Sequence, residues 1–356
     1  MGFNSSYIRF WAGLAISLSF NSISQSAFIP FIDGAKAAQQ VTVKDISTLD
    51  NAKVVKDINA ASDSEKGKVL LMFDIDGTLK SHLDKYKEKI NPWVHDLLGS
   101  LSQDPRFAVY LNTGRSDESL RASYKGDEFK QMGWYAEHGT LFSAPGDSKA
   151  TDLRDRTQRQ WLGSTMELIE DMLVSKSDGK ELWPGKASRD QAKQATISFT
   201  TRHPNKEFDQ FFEDLKEKLK ETSVVTQHKE TKTLIEVTPI GINKGTAVDH
   251  LMRQKQYDLA LAAGDDERDF TMHERIRQNM MEAKKKAYSI IITQDSEKPT
   301  AANYKLGHFH DFVRDLLAEL SPGYKNSYPL RKSPSMPWTQ SVKLKNENDE
   351  IHQVIR

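Results

Sequence analysis

The chain has 356 residues, with 50 Lys and Arg set against 50 Asp and Glu. That balance gives no net field to attract nucleic acid or a membrane surface, and the length allows one large domain or two smaller ones. Cysteine is absent, which excludes disulfides, thiolate metal sites and cysteine nucleophiles.

In chain order, the first feature is Arg9, followed by the uncharged apolar stretch Phe10 to Phe20 and the small-residue run Ser24-Gln25-Ser26-Ala27. A positive charge, a short apolar segment and small residues at a cleavage point are the parts of a secretory signal peptide, so residues 1–27 are expected to direct export. An uncleaved membrane anchor or a cytoplasmic soluble segment are the alternatives. Ser17, Ser19, Asn21, Ser22 and Gln25 would make a poor spanning helix, and no stable membrane span is expected after processing. Residues 28–66 are polar and read as a linker with one short helix.

From residue 69 a rhythm of strands and helices begins. Apolar runs at 69–73, 107–111, 258–263 and 287–292 are continuous rather than alternating, which predicts parallel strands covered on both faces. The expected fold is α/β, an open sheet whose ligand site lies beyond the carboxyl ends of its strands.

The middle of the chain reads differently. Residues 152–174 predict a helix, with Trp161, Leu168, Ile169 and Met172 at helical spacing. Residues 196–200 alternate polar and apolar, as in a strand wet on one face. A second helix over 205–221 carries Phe208, Phe211, Phe212, Leu215 and Leu219 as a core stripe, and strands near 223–227 and 233–238 follow. Residues 151–235 are therefore expected to form an α+β cap inserted between two parts, 67–150 and 236–320, of the sheet domain. Pro322, Pro329, Pro334 and Pro337, with little periodicity around them, predict a disordered tail over 321–356.

The chemistry gathers where strands end. The first apolar strand runs into Asp74-Ile75-Asp76-Gly77-Thr78, and two carboxylates there are costly unless a cation or a reaction uses them. Leu111-Asn112-Thr113-Gly114-Arg115 ends another strand, Gly264-Asp265-Asp266 a third, and Asn243-Lys244-Gly245 opens a helix. Taken singly, a Ser116 cap accounts for the second motif and capping by Asp266 for the third. Together, in an open parallel sheet, they face one crevice. Several carboxylates there suit Mg²⁺, which prefers one or two of them plus phosphate oxygens. The helix dipole disfavours a cation at Lys244 unless it faces an anion. Thr113 and the amides around Gly114 can donate to phosphate. One carboxylate can attack phosphorus while another protonates the leaving oxygen.

These four motifs, in chain order with Asn243-Lys244-Gly245 ahead of Gly264-Asp265-Asp266, resemble the haloacid dehalogenase (HAD) superfamily of phosphatases. Tyr135-Ala136-Glu137-His138-Gly139 and Ile235-Glu236-Val237-Thr238-Pro239-Ile240-Gly241-Ile242-Asn243-Lys244-Gly245 narrow the resemblance to the trehalose-6-phosphate phosphatase branch, over about residues 67–320. The resemblance implies a HAD-like Rossmannoid core with an inserted cap and a Mg²⁺ cofactor. It implies Asp74 as nucleophile and metal ligand, and Asp76 as general acid and base whose backbone carbonyl also reaches the metal. Thr113 and Lys244 would hold the transferring phosphoryl group. Asp265 would be the carboxylate ligand of Mg²⁺, with Asp266 and Asp269 supporting the waters around it. Gly114, Arg115, Glu137, His138, Lys186 and Glu236 would face the substrate, Glu137 through sugar hydroxyls. His138 also reads as a structural histidine in a turn.

The departures bear on the substrate. The branch carries a Glu-x-Lys segment early in the cap, compared here with Glu181 to Lys186, and an alternating strand ending in a His-Tyr-Arg-like step, compared with Thr201-Arg202-His203. After Gly-Asp-Asp it favours Thr-Asp-Glu, where this chain has Arg268-Asp269-Phe270. The expected partner is a small-molecule sugar phosphate, with trehalose 6-phosphate the leading candidate. The alternatives are another sugar phosphate, a secreted or host phospho-substrate, and a non-catalytic phosphosugar-binding regulator.

Overall fold

The computed structural model describes residues 41–62, 68–80, 90–176, 188–202, 204–229, 233–321 and 323–324. The expected signal segment, Lys186 and the tail from 325 onward lie outside the described residues. Among those described, no helix is long and apolar enough to cross a membrane.

The first half contains β1 (Val41–Thr42), β2 (Ser47–Thr48), α1 (Asn51–Ser62), β3 (Val69–Phe73), α2 (Pro92–Gln103), β4 (Phe107–Asn112), α3 (Asp117–Ser123), β5 (Gly133–Ala136), β6 (Leu141–Ser143) and β7 (Thr151–Asp152). The insertion follows, with α4 (Arg156–Lys176), β8 (Ser188–Arg189), β9 (Ile197–Thr201), α5 (Lys206–Leu219), β10 (Ser223–Lys229) and β11 (Thr233–Pro239). The chain then returns through α6 (Lys244–Gln254), β12 (Leu259–Gly264), α7 (Phe270–Glu282), β13 (Lys286–Ile292), β14 (Pro299–Thr300) and β15 (Tyr304–Leu306).

Nine strands form the main sheet in the order β2-β15-β13-β12-β3-β4-β5-β6-β7. β3 lies between β12 and β4, parallel to both, while β6 and β7 close one edge antiparallel. All five residues of β3 are buried, because alternate side chains enter two separate cores. Leu71 and Phe73 pack with Val109, Leu261 and α2 on one face; Leu70 and Met72 pack with Tyr110, Ala260, α6 and α7 on the other. A strand sandwiched in this way must be apolar at every position, which is what made the run legible.

The insertion forms a second, antiparallel sheet in the order β10-β11-β9-β8. Its inner face, through Phe199, Ile235 and Val237, meets Trp161 and Ile169 of α4 and the Phe208, Phe211 and Leu215 stripe of α5. Asn205 caps α5 by accepting from the Phe208 N–H at 2.9 Å.

Two expectations on organisation are corrected. Residues 41–62 are not a linker: β2 pairs with β15 at the sheet edge, and Val54 and Ile58 of α1 are buried in the main core. A polar helix with one narrow apolar stripe has a linker's composition, and the stripe decides its fate. The cap boundary expected at 235 falls inside β11, which continues to Pro239, and β7 at 151–152 belongs to the main sheet.

Candidate active site

β3 and β12 run side by side, so the residues that follow them leave the same sheet edge. There Asp74, Asp265 and Asp269 are all buried, with one ligand oxygen of each within 4.8 Å of the others. Asp269 is fixed from three directions. Its Oδ2 accepts from the Asp265 and Asp266 N–H groups at 2.9 and 3.2 Å, and its Oδ1 accepts from Lys244 Nζ at 2.6 Å. Gly264 permits this turn, since a Cβ there would lie 2.3 Å from the Asp269 Cγ.

Lys244 reaches the cluster because α6 begins beside it. Asn243 accepts from the Gly245 and Thr246 N–H groups at 2.9 and 3.2 Å, an N-cap that places Lys244 at the first helical position. Its ammonium lies 2.9 Å from Asp74 Oδ1. Burial alone would lower its pKa, but Asp269 and Asp74 outweigh burial and hold it above the usual range. Burial dominates for Asp74, pushing its carboxyl up from 3.8 to about 6 against the pull of Lys244, with Asp269, Asp266 and Asp76 adding to the rise.

This donor set fits a hard divalent cation. Three buried carboxylates converge with one ammonium between two of them, and all-oxygen ligands select Mg²⁺ over softer ions. Asp266 is not in that group: its carboxylate accepts from the Arg268 N–H at 3.0 Å and pairs with the Arg268 guanidinium. The plain capping role read for it is the one its side chain performs.

Asp76 leaves the strand end on the cleft side. Its two oxygens accept from Arg115 Nε and Nη2, each at 2.8 Å, and Lys80 lies 3.6 Å away. Thr113 is buried at the cleft floor, and Ser116 caps α3 from the same turn. A Cβ on Gly114 would come within 2.6 Å of the His138 ring, so Gly114 allows that ring to lie against the floor.

The opposite wall comes from the cap. Glu236 on β11 is buried, and its carboxylate meets Lys193 at 2.8 Å, Arg268 at 2.7 Å and His138 Nε2 at 3.1 Å. Burial would raise its pKa, but Lys193, His138 and Arg268 hold it well below the usual carboxylate range. Burial lowers the pKa of His138 despite Glu236 beside it, consistent with a neutral ring in a structural place. Between the two walls lies a cleft of about 300 Å³, with Asp74, Asp76, Thr113, Arg115 and Lys244 on the core side and Lys193, Ser198, Thr200, His228 and Glu236 on the cap side.

One substrate-side expectation changes. Glu137 does not face the cleft: it is fully buried and its carboxylate is taken up by the N–H groups of residues 194–196. Lys186 lies outside the described residues. A lysine that the described cap residues bring to the cleft is Lys193, which was not among the expected residues although it stands four positions before the alternating strand β9.

A family model described as trehalose-phosphatase matches residues 72–308. The chain is 30% identical over 216 residues to alpha,alpha-trehalose-phosphate synthase (UDP-forming) B of Dictyostelium discoideum, covering 58% of this chain and 25% of that protein. It is 28% identical over 311 residues to the bifunctional trehalose-6-phosphate synthase/phosphatase of Thermoproteus tenax, covering 83% of this chain and 37% of that protein. The chain thus spans well under half the length of these relatives. Among solved structures, the trehalose-6-phosphate phosphatase of Aspergillus fumigatus superposes with a TM-score of 0.55 at 23% identity, covering 78% of this chain and 99% of that one. The C-terminal domain of the Candida albicans trehalose-6-phosphate phosphatase gives 0.62 at 19% identity, covering 80% and 99%. At these identities the solved structures establish the shared HAD-type fold.

Proposed function

Because the chain belongs to the trehalose-phosphatase family of HAD-type phosphatases, we propose that it is a Mg²⁺-dependent phosphomonoesterase that hydrolyses trehalose 6-phosphate to trehalose and phosphate. The observation that carries this reading is the buried meeting of Asp74, Asp265, Asp269 and Lys244 at the strand ends, facing a polar wall supplied by the cap.

The Asp74 carboxylate attacks phosphorus, the P–O bond to the sugar breaks, and an aspartyl-phosphate forms. Asp76 gives its proton to the leaving sugar oxygen, then takes one from the water that attacks the aspartyl-phosphate, releasing phosphate and restoring both carboxyl groups. Arg115 orients Asp76 in its carboxylate form through the two-pronged contact, the form that takes the proton from water, and this contact loosens when Asp76 carries the proton. Lys244 and the Thr113 hydroxyl stabilise the charge on the phosphoryl oxygens. Asp74, Asp265 and Asp269 would hold Mg²⁺, which supplies Lewis-acid neutralisation of those oxygens. Lys193, Glu236 and His228 offer donors and acceptors to sugar hydroxyls.

A different sugar phosphate is the second reading, and Arg268 favours it. Its guanidinium bridges Asp266 and Glu236 across the cleft, at a position where the trehalose-6-phosphate phosphatase pattern has Thr. A phosphate-release panel with Mg²⁺ separates the two readings. Trehalose 6-phosphate should give the highest kcat/KM, and faster release from glucose 6-phosphate or mannose 6-phosphate would refute the first reading.

A further inference from the structure

The Glu137 carboxylate carries a contact that catalysis, as described, does not use. One oxygen accepts from the Gln194 N–H at 2.9 Å; the other accepts from the Ala195 and Thr196 N–H groups at 2.8 Å each and from Thr196 Oγ1 at 3.0 Å. Arg154 Nη1 donates to the carbonyl of Ala195 at 3.2 Å, and the Ala195 side chain is buried in the core of the main domain. Three consecutive cap residues are thus fastened to the main domain through their backbone.

The turn that holds Glu137 is fastened to the reaction centre as well. The Glu137 N–H donates to the Arg115 carbonyl at 2.9 Å, and the His138 N–H to the Thr113 carbonyl at 3.0 Å. Glu137 and His138 sit at φ 49° and 61°, a left-handed conformation that non-glycine residues hold only where the surroundings fix them. The linkage therefore runs from Thr113 and Arg115, through this turn, into residues 194–196. The next residue back is Lys193, whose ammonium lies in the cleft 2.8 Å from Glu236.

We propose that Glu137 is a positioning residue that latches the cap segment 194–196 to the phosphoryl site and thereby sets where Lys193 meets the sugar. This rests on the reading of the cleft as a sugar-phosphate site. Glu137→Gln keeps the volume but presents an amide N–H₂ to backbone donors, so one half of the latch becomes repulsive. Glu137→Asp retains both acceptors on a shorter arm.

The test uses the full chain with Mg²⁺ and three readouts. Native-state hydrogen exchange of Glu137→Gln should quicken at the amides of 194–196 and leave those of β3 unchanged. The kcat/KM for trehalose 6-phosphate should fall about 10- to 100-fold, and that for p-nitrophenyl phosphate, which has no sugar for Lys193 to hold, by less than about threefold. Glu137→Asp should recover part of the difference. Glu137→Gln added to Lys193→Ala should cost little more than Lys193→Ala alone, because the two act in series. Equal losses on both substrates, or additive losses in the double variant, would overturn the proposal. A wild-type protein that releases phosphate from no sugar phosphate refutes the functional reading instead, and the exchange result then decides the latch by itself.

Discussion

The Lys244 ammonium lies 2.9 Å from Asp74 Oδ1 at the head of α6, with both side chains almost wholly buried. The Asp74 anion is not tolerable there without the ammonium, since an unpaired buried charge loses its hydration without recompense, whereas the ammonium also has Asp269 at 2.6 Å. The pair explains why a helix begins with a cation, and it ties the ionisation of Asp74 to a residue 170 positions later.

Lys244→Ala should therefore damage stability and turnover together. Leaving Asp74 and Asp269 facing each other without a cation is expected to cost about 3–5 kcal/mol in urea denaturation. Where the variant remains folded, kcat should fall about 10²–10³-fold, as for removal of a preorganised positive group. A variant with normal kcat would show that the ammonium serves packing alone.

Asp74 gives a pH dependence with a definite sign. Its folded-state pKa is raised to about 6 from an ordinary 3.8, so between these values the folded protein binds the extra proton. Its burial thus destabilises the fold fully above about pH 6 and not at all below the unfolded value, with a limit of about 3 kcal/mol. With divalent ions chelated, Asp74→Asn should exceed wild type in stability at pH 8, and the gap should close as pH falls from 6 to 4. Denaturation midpoints at several pH values check this; a gap that widens on acidification contradicts it.

Glu236 has the opposite sign. Its pKa is held well below 4.5, so its stabilisation is present above the unfolded value and is lost as pH falls through the folded one. Glu236→Gln should cost about 3–5 kcal/mol near neutrality, because Lys193 and Arg268 lose their shared partner. That deficit should be flat from pH 8 to pH 5 and shrink below pH 4.5.

Arg115→Lys tests the orientation of Asp76. An ammonium keeps the charge but cannot reproduce the planar two-donor fork. The expected result is a kcat lowered about 10-fold or more with KM changed far less, since proton delivery is worth about 10²–10⁴-fold in all. A rise in KM alone would place Arg115 in substrate binding instead.

The sequence revealed the strands that are buried on both faces. β3, β4, β12 and β13 are apolar at nearly every position, and the acids that end them could be assigned to one edge before any coordinates. β5, β6 and β15 are three or four residues long and rest on pairing with neighbours that no local pattern announces. The cluster at Asp74, Lys244, Asp265 and Asp269 was legible because strand ends converge. The fate of Glu137 was not, because its partners lie 57 to 59 residues away in a cap whose docking is a tertiary event. Asp266 shows the converse: an acid beside a metal motif was drawn off by Arg268, two residues along.

The central claim is that Asp74 accepts the phosphoryl group, and borohydride reduction during steady-state turnover of trehalose 6-phosphate tests it most directly. An acyl phosphate is reduced to the alcohol, whereas a free carboxylate is not. Peptide mass spectrometry should find the reduced side chain at position 74 only when substrate and Mg²⁺ are both present. Reduction at another acid, or phosphate release that continues undiminished in Asp74→Asn, would contradict the account.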